Sequence, residues 1–158
     1  MSLVQSSLSF QAWAVPALLV VPLVGAIVIR LIGRTALPGK DPGFSLWRDV
    51  RFLTMGTLVT EFLIAIAMWM AFDPKIPGYQ FRVDWQWIPD WGARVTLGVD
   101  GISLVMIVLS TLLVPLSIAG SWLSIRTKVR TYYALVLVAL AGMIGIFVAL
   151  DQIGRAHV

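Results

Sequence analysis

Apolar residues gather into four long runs separated by polar, charged and turn-forming stretches: Ala12–Ile32, Leu53–Phe72, Ile102–Trp122 and Tyr132–Leu150. Each approaches the roughly 20 residues that an α-helix needs to cross the hydrocarbon core of a bilayer. Backbone groups in lipid find no water to bond, so each run is predicted to be a helix that satisfies its own N–H and C=O groups. Pro16, Pro22 and Pro115 interrupt these runs, an interruption that membrane helices tolerate. The stretch between the second and third runs has a different period. Phe81-Arg82-Val83-Asp84-Trp85-Gln86-Trp87 alternates apolar and polar residues, as does Ala93-Arg94-Val95-Thr96-Leu97, and Ile88-Pro89-Asp90-Trp91-Gly92 lies between them. Period-two alternation on both sides of a Pro/Asp/Gly turn predicts a short β-hairpin; an irregular interfacial loop with tryptophans at headgroup level is the alternative. The fold class expected is therefore an all-α membrane protein with four transmembrane helices and one short hairpin.

The charges orient this arrangement. Arg30, Arg34, Lys40, Arg48 and Arg51 crowd the first loop, and Arg126, Lys128 and Arg130 crowd the third. The longer second loop holds Lys75, Arg82 and Arg94, and the stretch before the first run holds no basic residue. The positive-inside bias then puts loops one and three in the cytoplasm, and the N-terminus and the hairpin outside. That bias also accounts for the net charge of +4, and the chain shows no soluble basic module with base-stacking aromatics, so no nucleic-acid partner is expected. With 59% hydrophobic residues, against roughly 45–50% in a typical soluble domain, the chain needs lipid to cover its surface. Met1 to Ala12 lacks the positive region of a cleaved signal peptide, so the first helix is expected to stay uncleaved. Cysteine is absent, which leaves neither a disulfide framework nor thiolate ligands for zinc or an iron–sulfur cluster. Pro38-Gly39-Lys40-Asp41-Pro42-Gly43 marks a turn-rich loop, and no internal repeat divides the chain.

The most informative stretch is Leu97-Gly98-Val99-Asp100-Gly101-Ile102-Ser103-Leu104, an acid and a glycine at the mouth of the third run. Asp100 is suited to cap a helix by accepting backbone N–H bonds, and Gly101 to permit close approach or an unusual entry angle. Further along come Pro115-Leu116-Ser117-Ile118, Ser121-Trp122, Tyr132-Tyr133 and Gly142-Met143-Ile144-Gly145-Ile146-Phe147-Val148-Ala149-Leu150-Asp151. In this order and spacing, from about Trp87 to Asp151, the chain resembles the N-terminal part of the antiporter-like chain M of the proton-pumping NADH–quinone oxidoreductase, respiratory complex I. The resemblance implies the start of an antiporter-like helix bundle spanning 1–152 in a bacterial inner (cell) membrane, with other membrane subunits of that complex as partners. It implies an enzyme subunit, a translocase part whose NADH, flavin, iron–sulfur clusters and quinone belong to other subunits, so that this chain binds no cofactor itself. In the resembled family the transport glutamate lies in the fifth helix, with lysines further on, and the chain stops at Asp151-Gln152 before either. On that reading this piece alone is inactive. Ile153–Val158 reads as a translated sequencing adapter and is set aside, with Arg155 and His157. A related subunit of a multi-subunit sodium/proton antiporter and a small non-enzymatic membrane scaffold are the alternatives.

Within the chain the candidate chemistry is sparse. No catalytic, cofactor-binding or metal-ligating residue is expected, because the lone His157 has no Cys, Asp or Glu cluster beside it. Glu61 lies mid-run, where an ionisable group is costly and is a functional candidate by default. The plainer expectation is a neutral or hydrogen-bonded Glu61 facing the bundle, with Thr57 one turn earlier as its candidate partner. Asp100, Gly101, Ser103 and Asp151 carry the resemblance, and a structural role is expected of them: Asp100 as a cap that also shapes the extracytoplasmic end, Asp151 as a positional acid. Gly142 and Gly145 suit close helix packing. Ser103, Ser110, Ser117 and Ser124 recur every seven residues and are expected to form a polar stripe packed against another helix.

Overall fold

In the computed structural model of the chain the residues described are 2–32, 44–76, 78–88, 93–122, 124–125 and 128–149. They form α1 (Ser2–Ile32), α2 (Phe44–Ala71), β1 (Gln80–Ile88), β2 (Ala93–Val99), α3 (Gly101–Gly120) and α4 (Val129–Val148). All four helices are long and apolar enough to cross a membrane, over Trp13–Leu31, Arg48–Ala71, Gly101–Gly120 and Val129–Val148. The chain is a multi-pass membrane protein, with four such helices and one two-stranded antiparallel sheet among its described residues.

The helices pack by one buried stripe each. On α2 the stripe runs Val50, Thr54, Leu58, Glu61, Ala65 and Met68, and on α4 it runs Val129, Tyr133, Leu137, Leu140, Ile144 and Val148. Steps of three and four residues keep such positions on one face of a helix. α1 lies against α4 and α2, and α3 against α2 and α4. The faces turned away from the core are as apolar as the core itself: Met70, Ile102 and Ile146 are each at least 72% exposed. A helix apolar all round belongs in lipid, where the outward face needs no polar cover.

Two helices extend beyond their apolar runs. α1 begins at Ser2 where a start near Ala12 was expected, and α2 begins at Phe44 instead of Leu53. Hydropathy marks the part of a helix that fits in hydrocarbon, but i to i−4 hydrogen bonding continues through polar turns at the interface. α3 is shorter than its run. It ends at Gly120, where the Ser121 N–H and hydroxyl both donate to the Ser117 carbonyl, at 3.1 and 3.0 Å.

The hairpin forms where the alternation predicted it, with Val83 opposite Leu97, Asp84 opposite Thr96, and Gln86 opposite Arg94. Of the expected turn at 88–92, Ile88 instead ends β1 opposite Ala93, and 89–92 lie outside the described residues. The register shifts between Gln80 and Val83, where Phe81 adopts φ 52° with its side chain buried. An extra residue accommodated this way bends the strand and re-aims a side chain. The alternation breaks down in β2, where Thr96, Gly98 and Val99 are all buried. That end of the strand is covered on both faces, because β1 packs on α1 and Leu97 pairs with Ala149 just past α4. The hairpin therefore closes one end of the helix bundle.

Candidate functional site

Among the described residues Glu61 is the carboxyl farthest from either end of its membrane-spanning helix. It sits roughly 15 Å in from the Ala71 end of α2, at about 1.5 Å per residue, near the middle of a hydrocarbon core of about 30 Å. Its side chain is fully buried, and neither carboxylate oxygen has a hydrogen-bond partner among the described residues. The expectation that Thr57 holds it fails: the Thr57 hydroxyl donates to the Leu53 carbonyl at 2.9 Å. Thr54 and Thr60 do the same, to Val50 at 2.8 Å and Gly56 at 2.9 Å. A threonine hydroxyl in a helix reaches the i−4 carbonyl more readily than a side chain a turn ahead, and in lipid nothing competes for it. Thr111, buried on α3 at a comparable depth, is also committed to its own helix, donating to Ile107 at 2.9 Å and Val108 at 3.0 Å. Glu61 is thus a carboxyl without a neighbour to pass a proton to among the described side chains.

At the hairpin end the motif residues build a helix start. Asp100, with extended backbone, accepts the Ser103 N–H at 2.7 Å, the bond that an N-cap carboxylate makes to the third residue of a helix. Hydrogen bonds from Ser103, the side chain first and then the backbone, hold the Asp100 carboxyl below its ordinary value of 3.8. Gly101 is not required by space or conformation. Its φ is ordinary, and a Cβ there would meet the Phe72 ring only at 3.8 Å. The preceding loop is tied separately: the Gln80 amide donates to the Asp73 carbonyl at 2.6 Å and accepts the Asp73 N–H at 3.1 Å. Asp100 and Gly101 line a hollow of about 520 Å³ with Phe72, Pro74 and Tyr79. Glu61 and Asp100 belong to different depths of the bundle and form no common site. Asp151 lies outside the described residues, as does the tail 153–158.

The small-residue expectations divide. Around Gly142 there is open space, and Gly145 faces Leu19 at an ordinary 3.7 Å. The glycine that does bring helices together is Gly25, where an added Cβ would stand 3.0 Å from Thr57 and 3.2 Å from Leu137. Its signal in the sequence was a lone glycine within the apolar run of the first helix, a common device for close packing in membranes. The serine stripe is also corrected. Ser103 and Ser110 are half-buried, Ser117 is exposed and bonds back to the Leu113 carbonyl at 2.9 Å, and Ser124 lies beyond the end of α3. At about 100° per residue the three helical serines stay within about 40° of one another, but their stripe flanks the buried face of α3 carried by Leu104, Ile107, Thr111 and Ile118 and does not point into it. At the end away from the hairpin, Arg51 on α2 donates to the Ile125 carbonyl at 2.8 Å and stands 6.0 Å over the Trp122 ring. That side chain fastens the chain beyond α3 to α2. Among the described residues no three His, Cys, Asp or Glu side chains converge as a metal site would require.

No family model matches the chain. Individual proteins do. Subunit M of the NADH-quinone oxidoreductase of Rhodobacter capsulatus is 39% identical over 132 residues, covering 84% of this chain and 24% of that protein. Chain 4-2 of the NAD(P)H-quinone oxidoreductase of Synechocystis is 34% identical over 137 residues, covering 86% of this chain and 22% of that protein. Chain 4 of the NADH-ubiquinone oxidoreductase of Triticum aestivum is 27% identical over 134 residues, covering 85% of this chain and 25% of that protein. The chain spans about a quarter of the length of these relatives.

Proposed function

We propose that this chain, homologous over most of its length to subunit M and chain 4 of quinone-reducing NADH oxidoreductases, supplies four helices of a proton-translocating membrane subunit of such a complex. The observation that carries this reading is the 39% identity over 84% of the chain to subunit M of Rhodobacter capsulatus. The physical features agree with the role. A tightly packed helical unit with a closed hairpin end is suited to form part of a larger helix bundle. NADH oxidation and quinone reduction then take place on other subunits, which hold the flavin, the iron–sulfur clusters and the quinone. The coupled proton movement uses charged groups of the subunit beyond these four helices. The partners are the other membrane subunits and the lipid of a bacterial cell membrane, with the N-terminus and the hairpin on the extracytoplasmic side.

Deleting the gene and assaying membrane vesicles tests the reading. Loss of NADH-driven proton uptake, with sodium-dependent proton exchange intact, is the expected result. Intact NADH-driven uptake with lost sodium exchange would instead assign the chain to a sodium/proton antiporter. The chain reconstituted alone in liposomes is expected to insert but to show no NADH oxidation, no quinone reduction and no proton flux under an imposed potential.

A further inference from the structure

Between α1 and α4, at the end of the bundle away from the hairpin, runs an open groove of about 610 Å³. Two alanines make it: Ala26 and Ala134 form a buried floor, and the larger Leu23, Ile27, Leu135 and Val138 stand as exposed walls. The groove starts at Arg30 and Thr131 and extends inward to Leu23 and Val138, roughly 10 Å at about 1.5 Å per residue. That is about a third of a hydrocarbon core of about 30 Å, measured from the interface inward.

We propose that this groove is a binding site for an anionic phospholipid, with one acyl chain on the Ala26–Ala134 floor and the phosphate at Arg30 and Thr131. The charge at its mouth decides the occupant. Among the described residues the Arg30 guanidinium makes one long contact, donating to the Thr131 hydroxyl at 3.5 Å, and its N–H groups form a fork that matches a phosphate. Lys128 and Arg130 follow on the same side of the chain, and Lys128 supplies no side-chain cap to the start of α4. The N–H groups of that first turn, which have no partner within the helix itself, add positive character where an anion would rest. The one acid described at this end, Asp49, is already beside Arg48 at 3.8 Å. An apolar helix laid in the same groove would press its side chains against the charged Arg30 guanidinium at the mouth, whereas an amphiphile places its phosphate there and only its tail below. Basic pockets between transmembrane helices select lipid headgroups for this reason. The inference does not depend on which complex the chain serves.

Purified chain, stripped of lipid in detergent, would be titrated with phosphatidylglycerol and with phosphatidylcholine of the same acyl chains, and the bound lipid counted by native mass spectrometry. One phosphatidylglycerol is expected to be retained in preference to phosphatidylcholine. Arg30→Gln should weaken that retention roughly fivefold, the equivalent of about 1 kcal/mol for one basic residue at a membrane surface. Val138→Trp, which blocks the inner end of the groove from an exposed position, should weaken it too, and Arg82→Gln on the hairpin should leave it unchanged. Equal retention of the two lipids, or retention unaffected by Arg30→Gln and Val138→Trp, overturns the proposal. A lipid-free dimer would also overturn it, and would assign the groove to a second copy of the chain.

Discussion

Gly25 on α1 faces Thr57 on α2 so closely that a Cβ on the glycine would lie 3.0 Å from the threonine methyl. Leu137 of α4 closes the same space from the other side at 3.2 Å, so three helices meet at one hydrogen-bearing carbon. Thr57 is fixed there by its bond to the Leu53 carbonyl and has little freedom to withdraw. Gly25→Leu should therefore lower stability by about 1–3 kcal/mol through overpacking, read as a lower unfolding temperature in detergent. Gly142→Ala meets open space and should be neutral or slightly stabilising, because alanine is the better helix former by up to about 1 kcal/mol. Equal effects at the two glycines would show that the α1–α2–α4 contact is looser than the 3.0 and 3.2 Å separations at Gly25 imply.

What the sequence made legible follows from which forces act locally. The four spans and the hairpin were readable because hydropathy and period-two alternation are properties of the chain itself. Asp100 was readable as a cap because the bond to Ser103 joins residues three apart. Gly25 and Arg51 were not readable in the same way. What matters about each is a contact with distant residues, Thr57 and Leu137 for one and Ile125 for the other, and those pairings arise only when helices dock. The expectation for Thr57 and Glu61 went wrong for a related reason. Adjacency on a helix face does not make a bond, because the Thr57 hydroxyl has a nearer acceptor in its own backbone.

Asp100 gives the hairpin end a dependence on acid. Hydrogen bonds from Ser103 lower its pKa in the folded chain, so the unfolded chain binds its proton first and holds more protons as pH falls. The contribution to stability is complete above the ordinary value of 3.8 and disappears as pH drops through the lowered folded value. Asp100→Ala should cost about 1 kcal/mol at neutral pH, and that difference should shrink in strong acid. Asp100→Asn should keep most of the cap without the acid sensitivity, since asparagine caps about as well as aspartate. Unfolding followed by circular dichroism at neutral pH and near pH 2 to 3 reads both effects. A cost for Asp100→Ala that is the same in acid would show that the carboxylate charge is irrelevant to the cap.

The loop charges set an orientation that reporter fusions can read. Fusions after Lys40 and after Lys128 should report the cytoplasmic side, because these loops carry most of the basic residues. A fusion at Lys75, ahead of the hairpin, should report the opposite side. Cytoplasmic activity at Lys75 would invert the proposed topology.

Glu61 separates a structural cost from a transport role. A fully buried carboxyl with both oxygens unpartnered among the described residues is a burden on the fold, of about 1–3 kcal/mol for an unsatisfied polar group. Glu61→Met fills a similar volume without the polar atoms, so it should raise the unfolding temperature in detergent. A fall would mean that the carboxyl has a partner that stabilises it. Transport is tested with Glu61→Gln in the full-length parent, followed by NADH-driven proton uptake in vesicles. A relay hands protons between groups within hydrogen-bond reach. The hydroxyls of Thr57 and Thr111 are bonded to their own helices, and no described side chain bonds Glu61. Uptake should then proceed at the parent rate. If Glu61→Gln abolished proton uptake while assembly and quinone reduction persisted, Glu61 would be a member of the relay, reached by groups beyond these four helices.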